Sequence, residues 1–277
     1  MGGVMNAVLQ YGSAAAALTS VGLGVWLGRE WAPPGSRFNA RPVLLGMTAA
    51  ALLLLAIGSY MGLVWTPQER EMGDVYRIIY VHVPAMWMAM LALTLNFGLS
   101  VAYLFKTSWK TDALAESTAE VGLLFGAYGL VLGAIWGKPT WGTYWDWDPR
   151  LTAMAIMLVT YTGYVALRRF VEDPEKRAVW SSVVGIISFV NLPIVWFSVK
   201  WWRSLHQVQS TPKTVDPDMA LALRVNAWAS LIILTLFLLH RYRIALATRE
   251  AEVALPEALP PDVPAGPSNS RASEVAS

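Results

Sequence analysis

Two of the three histidines in this 277-residue chain lie beside stretches rich in aromatic and basic residues. His82 stands in the stretch YRIIYVHVP, and His206 follows a tryptophan pair in SVKWWRSLHQ. Neutral imidazole is the commonest metal ligand among side chains and an axial ligand of haem iron. A single histidine at a helix end is more often structural than ligating. We interpret His240, which ends an apolar run beside Arg241, as such a structural residue.

Between these two stretches, residues 141–150 form the most aromatic segment of the chain, WGTYWDWDPR. Together with Trp136, this segment holds four of the fourteen tryptophans. Tryptophan combines a large rigid apolar face with one N–H donor, and it favours the boundary between water and lipid. The segment is therefore either an interfacial belt that anchors helix ends or a platform for a flat, amphiphilic ligand.

A planar macrocycle with apolar faces and two carboxylates would use all three stretches. His82 and His206 would bind its iron from opposite sides, while basic side chains would pair with its carboxylates. The basic candidates are Arg77, Lys138, Arg150 and Arg203, and the aromatic candidates are Trp136, Trp141, Trp145, Trp147, Trp201 and Trp202. Because two histidines flank the aromatic segment, a haem site is favoured over two unrelated structural histidines.

The carboxylates of the aromatic segment suggest a second kind of chemistry. Asp146 and Asp148 have the spacing of a general acid and base, but nothing else in the chain points to hydrolysis. Asp148 followed by Pro149 is typical of a helix start, with the aspartate as cap and the proline as first helical residue. We predict a structural role for Asp148 within the haem site and no catalytic role for Asp146.

Composition places the chain in a membrane. It is 55% hydrophobic and 14% charged, with a mean hydropathy of +0.44, whereas soluble domains carry roughly a quarter charged residues. Several stretches of about twenty residues lack charge, which is the length of a membrane-spanning helix. We predict an all-α, polytopic helical membrane protein with a six-helix core over 42–243. The predicted spans are 42–65, 83–105, 118–136, 151–168, 179–199 and 220–240.

Residues 1–41 and 250–277 are predicted to lie outside this core. Val4–Leu27 is an uncharged run with no basic residue before it, which favours an additional N-terminal transmembrane helix over a cleaved leader. The segment 250–277 is rich in Pro, Ala and Ser, so we predict a disordered cytoplasmic tail. Because cysteine is absent, disulfides and thiolate metal sites are excluded.

Basic residues in alternate connections predict the orientation, because cytoplasmic loops carry an excess of Lys and Arg. One side carries twelve: Arg29, Arg37, Arg41, Lys106, Lys110, Arg168, Arg169, Lys176, Arg177, Arg241, Arg243 and Arg249. The other side carries seven: Arg70, Arg77, Lys138, Arg150, Lys200, Arg203 and Lys213. His82, His206 and the aromatic segment are thus predicted to lie on the outer side, and the C-terminus in the cytoplasm.

The tryptophans are distributed unevenly between the two sides. Eight are predicted near the outer face, namely Trp65, Trp136, Trp141, Trp145, Trp147, Trp196, Trp201 and Trp202. Trp31, Trp109 and Trp180 are predicted near the cytoplasmic face. Because a belt that only anchors helix ends should be balanced between the faces, this distribution favours the platform.

The same residues resemble a known family. WGTYWDWDPRLT at 141–152 fits the pattern W-G-x-x-W-x-W-D-x-R-L-T of the WWD haem-handling proteins. Within that group the chain is similar to the CcmC family of system I cytochrome c maturation. Four further stretches support this narrower resemblance, which covers about residues 42–243: YRIIYVHVP at 76–84, WGKP at 136–139, NLPI at 191–194 and SVKWWRSLHQ at 198–207.

The resemblance implies a six-helix core in the bacterial inner membrane, with the WWD loop, 136–152, and both histidines on the periplasmic side. It implies that His82 and His206 are axial ligands of a transiently held haem b. It also implies an ABC-type complex with CcmA, CcmB and CcmD that loads haem onto the chaperone CcmE. That loading attaches haem covalently to a histidine of the chaperone, which suggests a haem-lyase-like role.

Three other functions remain open from the residues. A b-type cytochrome subunit would carry electrons, but its histidine pairs usually lie within the membrane, and two haems would need four ligands. A haem permease would need a charged or histidine-lined path through the membrane, and the predicted spans give no such path. An assembly scaffold without a ligand would use the same helices. A haem-delivery protein best explains the paired histidines and the aromatic loop.

Overall fold

The computed structural model describes residues 2–206 and 215–258, and this part of the chain is helical throughout apart from short connections. The helices are α1 (Gly2–Glu30), α2 (Arg41–Tyr60), α3 (Ile79–Phe105), α4 (Trp109–Trp141), α5 (Pro149–Phe170), α6 (Pro174–Phe189), α7 (Asn191–Trp201) and α8 (Pro217–Ala258). A π-helical turn, Met61–Trp65, continues α2, and a 3-10 helix, Asp74–Ile78, precedes α3.

Seven segments of this structure are long and apolar enough to cross a membrane. Six of them contain the six predicted spans, with α6 and α7 together forming one, and the seventh is Val4–Glu30 in α1. The prediction of an all-α, polytopic membrane protein with six core helices and an additional N-terminal helix is confirmed.

Helix ends follow the local chemistry of the sequence. Asp148 and Asp173 cap α5 and α6, and in each case the side chain accepts a hydrogen bond from a backbone N–H of the first turn, with proline following the cap. The capping role predicted for Asp148 is therefore confirmed. Helix α4 ends where Gly142 adopts a φ of +79°, a left-handed conformation that glycine adopts at low cost.

The C-terminal prediction needs correction in its first part. The disordered tail was expected from residue 250, but α8 continues to Ala258; residues 259–277 lie outside the described part. Two causes support the extension. Residues 245–254 are rich in Ala, Glu and Arg, which are strong helix formers. In addition, Glu252 accepts a hydrogen bond of 2.6 Å from Arg177 of α6, which ties the extended helix to the bundle.

Helix α8 lies at the centre of the packing. On one side it packs against α1 and α2 through a core that includes Leu27, Leu54 and Ile232. On the other side, Leu234 joins a cluster with α3 and α4. A separate core of α3, α4, α5 and α7 contains Met157 and other fully buried side chains. The helices of the predicted haem site therefore belong to one packed unit.

Glycines allow α3 and α4 to approach each other closely. A Cβ atom at Gly122 would lie 2.6 Å from the side chain of Leu93, and one at Gly133 would lie 3.0 Å from the ring of His82. Along α4 these glycines recur every three or four residues, at 122, 126, 129, 133 and 137, so they share one face of the helix. The start of α3 is therefore held against the end of α4.

Charged residues join α4, α5 and α8 at the opposite end of the bundle. Arg168 makes a bidentate pair with Asp112, at 2.7 and 2.9 Å, and also contacts Glu116 at 3.1 Å. Arg241 pairs with Glu116 at 2.7 Å and with Glu120. Glu120, which lies near the end of a predicted span, is therefore paired rather than exposed to lipid.

Candidate haem site

His82 lies in the second turn of α3, and its imidazole rests on the glycine face of α4. Its Nδ1 atom is 2.9 Å from the backbone carbonyl oxygen of Gly129. Because a carbonyl only accepts hydrogen bonds, the neutral ring must carry its proton on Nδ1. The Nε2 lone pair is then available for a metal, in the arrangement that orients metal-binding histidines in proteins.

His206 lies after α7, among the tryptophans of the WWD loop. Its ring is 4.8 Å from that of Trp141 and 6.4 Å from that of Trp136, measured between centroids. Among the described residues, its buried Nδ1 atom finds no hydrogen-bond partner, and neither does Nε1 of Trp136. Such atoms are costly to bury without a partner, so their presence together is typical of a binding site.

Asp148 connects the WWD loop to the His206 segment. One carboxylate oxygen accepts from the Leu151 N–H at 2.8 Å and caps α5. The other accepts from the hydroxyl of Ser204 and, at 2.8 Å, from the N–H of Leu205. The Ser204 hydroxyl oxygen in turn accepts from the His206 N–H at 3.1 Å. We call this set of hydrogen bonds the Asp148 bridge; it positions the backbone of His206 relative to α5.

Arg150 lies in the first turn of α5 and is half-buried. Its positive charge acts on both His82 and His206. No carboxylate of the described residues forms an ion pair with it. A partly buried, unpaired guanidinium beside two histidines is suited to bind a carboxylate of a ligand.

The same charges determine the protonation of the site. Burial, reinforced by the positive charge of Arg150, lowers the pKa of His206 to about 4. Burial also raises the pKa of Asp148, but hydrogen bonds from Leu151, Ser204 and Leu205 outweigh that effect and hold this pKa below its ordinary value. At neutral pH the site therefore contains a neutral imidazole, which can bind a metal, and an ionised carboxylate.

The tryptophans of the predicted WWD loop fall into two pairs, and the first pair, Trp136 and Trp141, lies in the last turns of α4 rather than in a loop, which Gly142 begins. Trp136 and Trp141 contact each other edge to face at 5.3 Å and border His206. Trp145 and Trp147 form a second edge-to-face pair at 5.4 Å, and Trp147 is 75% exposed. The first pair is therefore placed beside a histidine, whereas the second presents an aromatic surface to the surroundings.

Seven predicted site residues are not brought to the histidines by any observed contact: Trp145 and Trp147, which contact each other, Lys138, which donates to the carbonyl of Gly142, and four others. Arg77 donates hydrogen bonds to Asp74, Gly62 and Thr66, so it fastens the first outer loop to the π-helical turn. Trp201 and Trp202 contact each other at 5.7 Å and are both more than half exposed. Arg203 is exposed and makes no ion pair within the described residues.

Sequence reasoning missed the residues that hold the histidines in place. Gly129 and Gly133 support His82, and Ser204 links His206 to Asp148. The glycines had a visible signal, namely their spacing along α4. Ser204 had none, because its partner lies 56 residues earlier in the chain.

Comparison with known proteins gives a consistent result. The family described as heme exporter protein C matches residues 29–255. A heme exporter protein C of Bradyrhizobium diazoefficiens is 36% identical over 180 residues, or 62% of this chain and 67% of that protein. The heme exporter protein C of Escherichia coli K12 is 34% identical over 181 residues, which cover 64% of this chain and 73% of that protein. A putative cytochrome c biosynthesis ccmC-like mitochondrial protein of Marchantia polymorpha is 40% identical over 144 residues, which cover 52% of this chain and 60% of that protein.

Proposed function

Since the chain belongs to the heme exporter protein C family, we propose that it binds haem at its histidine-bearing end and delivers it to a CcmE-type chaperone during cytochrome c maturation. The observation that carries the proposal is the pairing of two available imidazoles with an aromatic border. His82 has its Nδ1 proton committed to Gly129, and His206 lies against Trp141 with its Nδ1 unpaired.

In this proposal His82 and His206 are the axial ligands of haem iron. Trp136 and Trp141 pack against the porphyrin, and Arg150 pairs with a propionate. The iron would supply the affinity for imidazole, and the protein supplies the geometry. The Asp148 bridge holds the His206 segment at the start of α5, so Asp148 acts on ligation as a positioning residue.

A delivery protein must also release its cargo. Burying a few hundred Å² of porphyrin is worth roughly 5–10 kcal/mol at about 25 cal/mol per Å², before ordering costs are subtracted. Two axial bonds added to a fully enclosed pocket would make release slow. The second pair, in which Trp147 is exposed and Trp145 is half-buried, gives a partner access to the edge of the site. We propose that the chaperone docks on this pair and draws haem away from His206.

The setting of the proposal is a CcmA, CcmB, CcmC and CcmD complex of the ABC type in the bacterial inner membrane. The histidine-bearing end faces the periplasm, as the distribution of Lys and Arg predicts. Because the chain has no cysteine, the orientation is testable with single introduced cysteines. Asp146→Cys should react with an impermeant maleimide in intact cells, whereas Glu250→Cys should react only after lysis; the reverse pattern would invert the topology.

Chaperone loading tests the function itself. The chain is co-expressed with CcmA, CcmB, CcmD and the chaperone, and covalent haem on the chaperone is measured by haem staining. His82→Ala and His206→Ala should abolish the stain, because each removes an iron ligand. His240→Ala is the matched control, since this histidine lies at the opposite end of the bundle, and it should load normally. Normal loading by both site variants would refute the proposal.

A further inference from the structure

A charged cavity of about 510 Å³ lies at the end of the bundle opposite the histidines. It is formed by the start of α4, the end of α5, the first turns of α6 and the extension of α8. Its charged lining consists of Asp112, Glu116, Arg168, Arg169, Arg177, Arg241, Arg249 and Glu252. Five of these eight side chains are arginines, and the haem proposal assigns no role to any of them.

One half of this cavity is neutralised by its own carboxylates. Arg168 and Arg241 share the carboxylates of Asp112, Glu116 and Glu120 in a continuous set of ion pairs. Two guanidinium groups thus face three carboxylates. This half is a structural junction between α4, α5 and α8, and it offers no excess positive charge to a ligand.

The other half carries more arginines than carboxylates. Arg177 and Arg249 both pair with the single carboxylate of Glu252, at 2.6 and 3.3 Å. Arg169 is exposed and makes no ion pair in the described part of the chain. Two guanidinium groups therefore share one carboxylate and the third has none, and the fork geometry of a guanidinium matches the oxygens of a phosphate group.

The surroundings place this cavity at the level of lipid headgroups. Helix α8 is 42 residues long, whereas about 20 residues cross the hydrocarbon core, so its part beyond Arg241 projects out of the membrane. At the same end, Phe105 and Phe170 are 89% and 83% exposed, and Trp109 is 45% exposed. Such aromatic side chains are typical of the interface between acyl chains and headgroups.

We propose that the arginine-rich half of this cavity, formed by Arg169, Arg177 and Arg249, binds a phosphate-bearing anion. The phosphate belongs either to an anionic lipid headgroup or to a soluble phosphate compound. In both cases its oxygens are held by guanidinium forks, and Glu252 occupies the forks of Arg177 and Arg249 when the anion is absent. The site is separate from the histidines and independent of haem.

The first experiment uses the full chain purified in a neutral detergent. Native mass spectrometry measures retention of phosphatidylglycerol and of phosphatidylcholine, and calorimetry measures binding of inorganic phosphate. Arg169→Gln should weaken anion binding about threefold and Arg177→Gln about tenfold, as expected for the loss of one charged contact. Arg37→Gln, an exposed arginine with no ion pair, is the matched control and should bind like the parent chain.

The variant Glu252→Gln separates a ligand site from a purely structural ion pair. It frees Arg177 and Arg249, so anion binding should strengthen, by about threefold to tenfold. Selective retention of phosphatidylglycerol without phosphate binding identifies a lipid, and competition by inorganic phosphate identifies a soluble compound. If no anion binds, or if Glu252→Gln leaves binding unchanged or weaker, the cavity is only a structural junction and the proposal is wrong.

Discussion

The two ends of the helix bundle are held together by different interactions. Among the described residues, every ion pair except Arg77–Asp74 lies at the end where α4 begins and α5 ends. At the other end, α3, α4 and α5 meet through glycines, aromatic rings and the buried carboxylate of Asp148. We call them the ionic end and the aromatic end.

The ionic end holds the helices together, whereas the aromatic end is suited to bind a ligand. At the ionic end, Arg168 and Arg241 are held by three carboxylates, so removing one partner would leave a buried charge uncompensated. At the aromatic end, His206 Nδ1 and Trp136 Nε1 are buried without a partner in the described part of the chain, and the bond that holds the His82 ring uses Nδ1 and not Nε2. Unused polar atoms in a rigid frame suit a ligand that must arrive and leave.

The largest expected effect comes from breaking the ionic end. Arg168→Met would leave Asp112 without its partner and Glu116 with Arg241 alone, and it should lower the free energy of unfolding by about 3–5 kcal/mol. Arg169→Met changes the neighbouring exposed arginine and should stay within about 0.5 kcal/mol. Both values are measured by denaturant unfolding in detergent. Equal effects would show that the Arg168 network does not fix the helices.

The next effect concerns the Asp148 bridge at the aromatic end. Asp148→Ala removes the cap of α5 and the link to the His206 segment, and it should weaken haem binding about tenfold. Ser204→Ala removes only part of the link and should cost about threefold. Asp146→Ala, an exposed neighbour, is the control. Haem titration by absorbance checks all three, and unchanged affinity in Asp148→Ala would remove the positioning role.

A smaller effect is expected from pH. Since the pKa of His206 is lowered from 6.5 to about 4, its imidazole stays neutral down to that value. Between 6.5 and about 4 the unfolded chain binds a proton that the folded chain does not, so stability falls as pH falls through this window. Haem occupancy should change less than about twofold from pH 7.5 to 5.0 and then decline near 4. A midpoint near 6.5 would contradict the buried, neutral histidine.

The smallest effect on the protein itself is expected at the exposed tryptophan of the WWD loop. Trp147→Ala should change the free energy of unfolding by no more than about 0.5 kcal/mol and leave haem retention intact, because its ring is largely exposed. It should nevertheless reduce transfer to the chaperone. Trp141→Ala should instead weaken haem retention, about fivefold. If both variants failed at the same step, the division between haem border and docking surface would be wrong.

Features encoded by local sequence were predictable. Apolar runs of helical length located the seven segments of the described chain that can cross a membrane, and an aspartate before a proline located the start of α5. The charge asymmetry predicts one outer face for His82, His206 and the WWD loop. The orientation remains a prediction, because the packing of the helices is the same whichever end faces the cytoplasm.

Features that depend on long-range contacts were not predictable. Arg77 was predicted to pair with a haem propionate, whereas in the structure it donates hydrogen bonds to Gly62 and Thr66. These contacts were not predictable, because the π-helical turn that presents the two acceptors has no signature in the sequence. The partner of Glu120, Arg241, lies 121 residues away, so no local pattern indicates this pair. The Asp148 bridge likewise joins two loops that only the packing of α5 against α7 brings together.

The central claim, that the aromatic end ligates haem through His206 and His82, is tested most directly by chemical rescue. The absorption spectrum of the haem-loaded full chain should be that of six-coordinate, low-spin ferric haem. His206→Gly should convert it to a high-spin spectrum, and added free imidazole should restore the original, while His240→Gly should match the parent chain throughout. If both His206→Gly and His82→Gly kept the parent spectrum, the two histidines would not be the iron ligands.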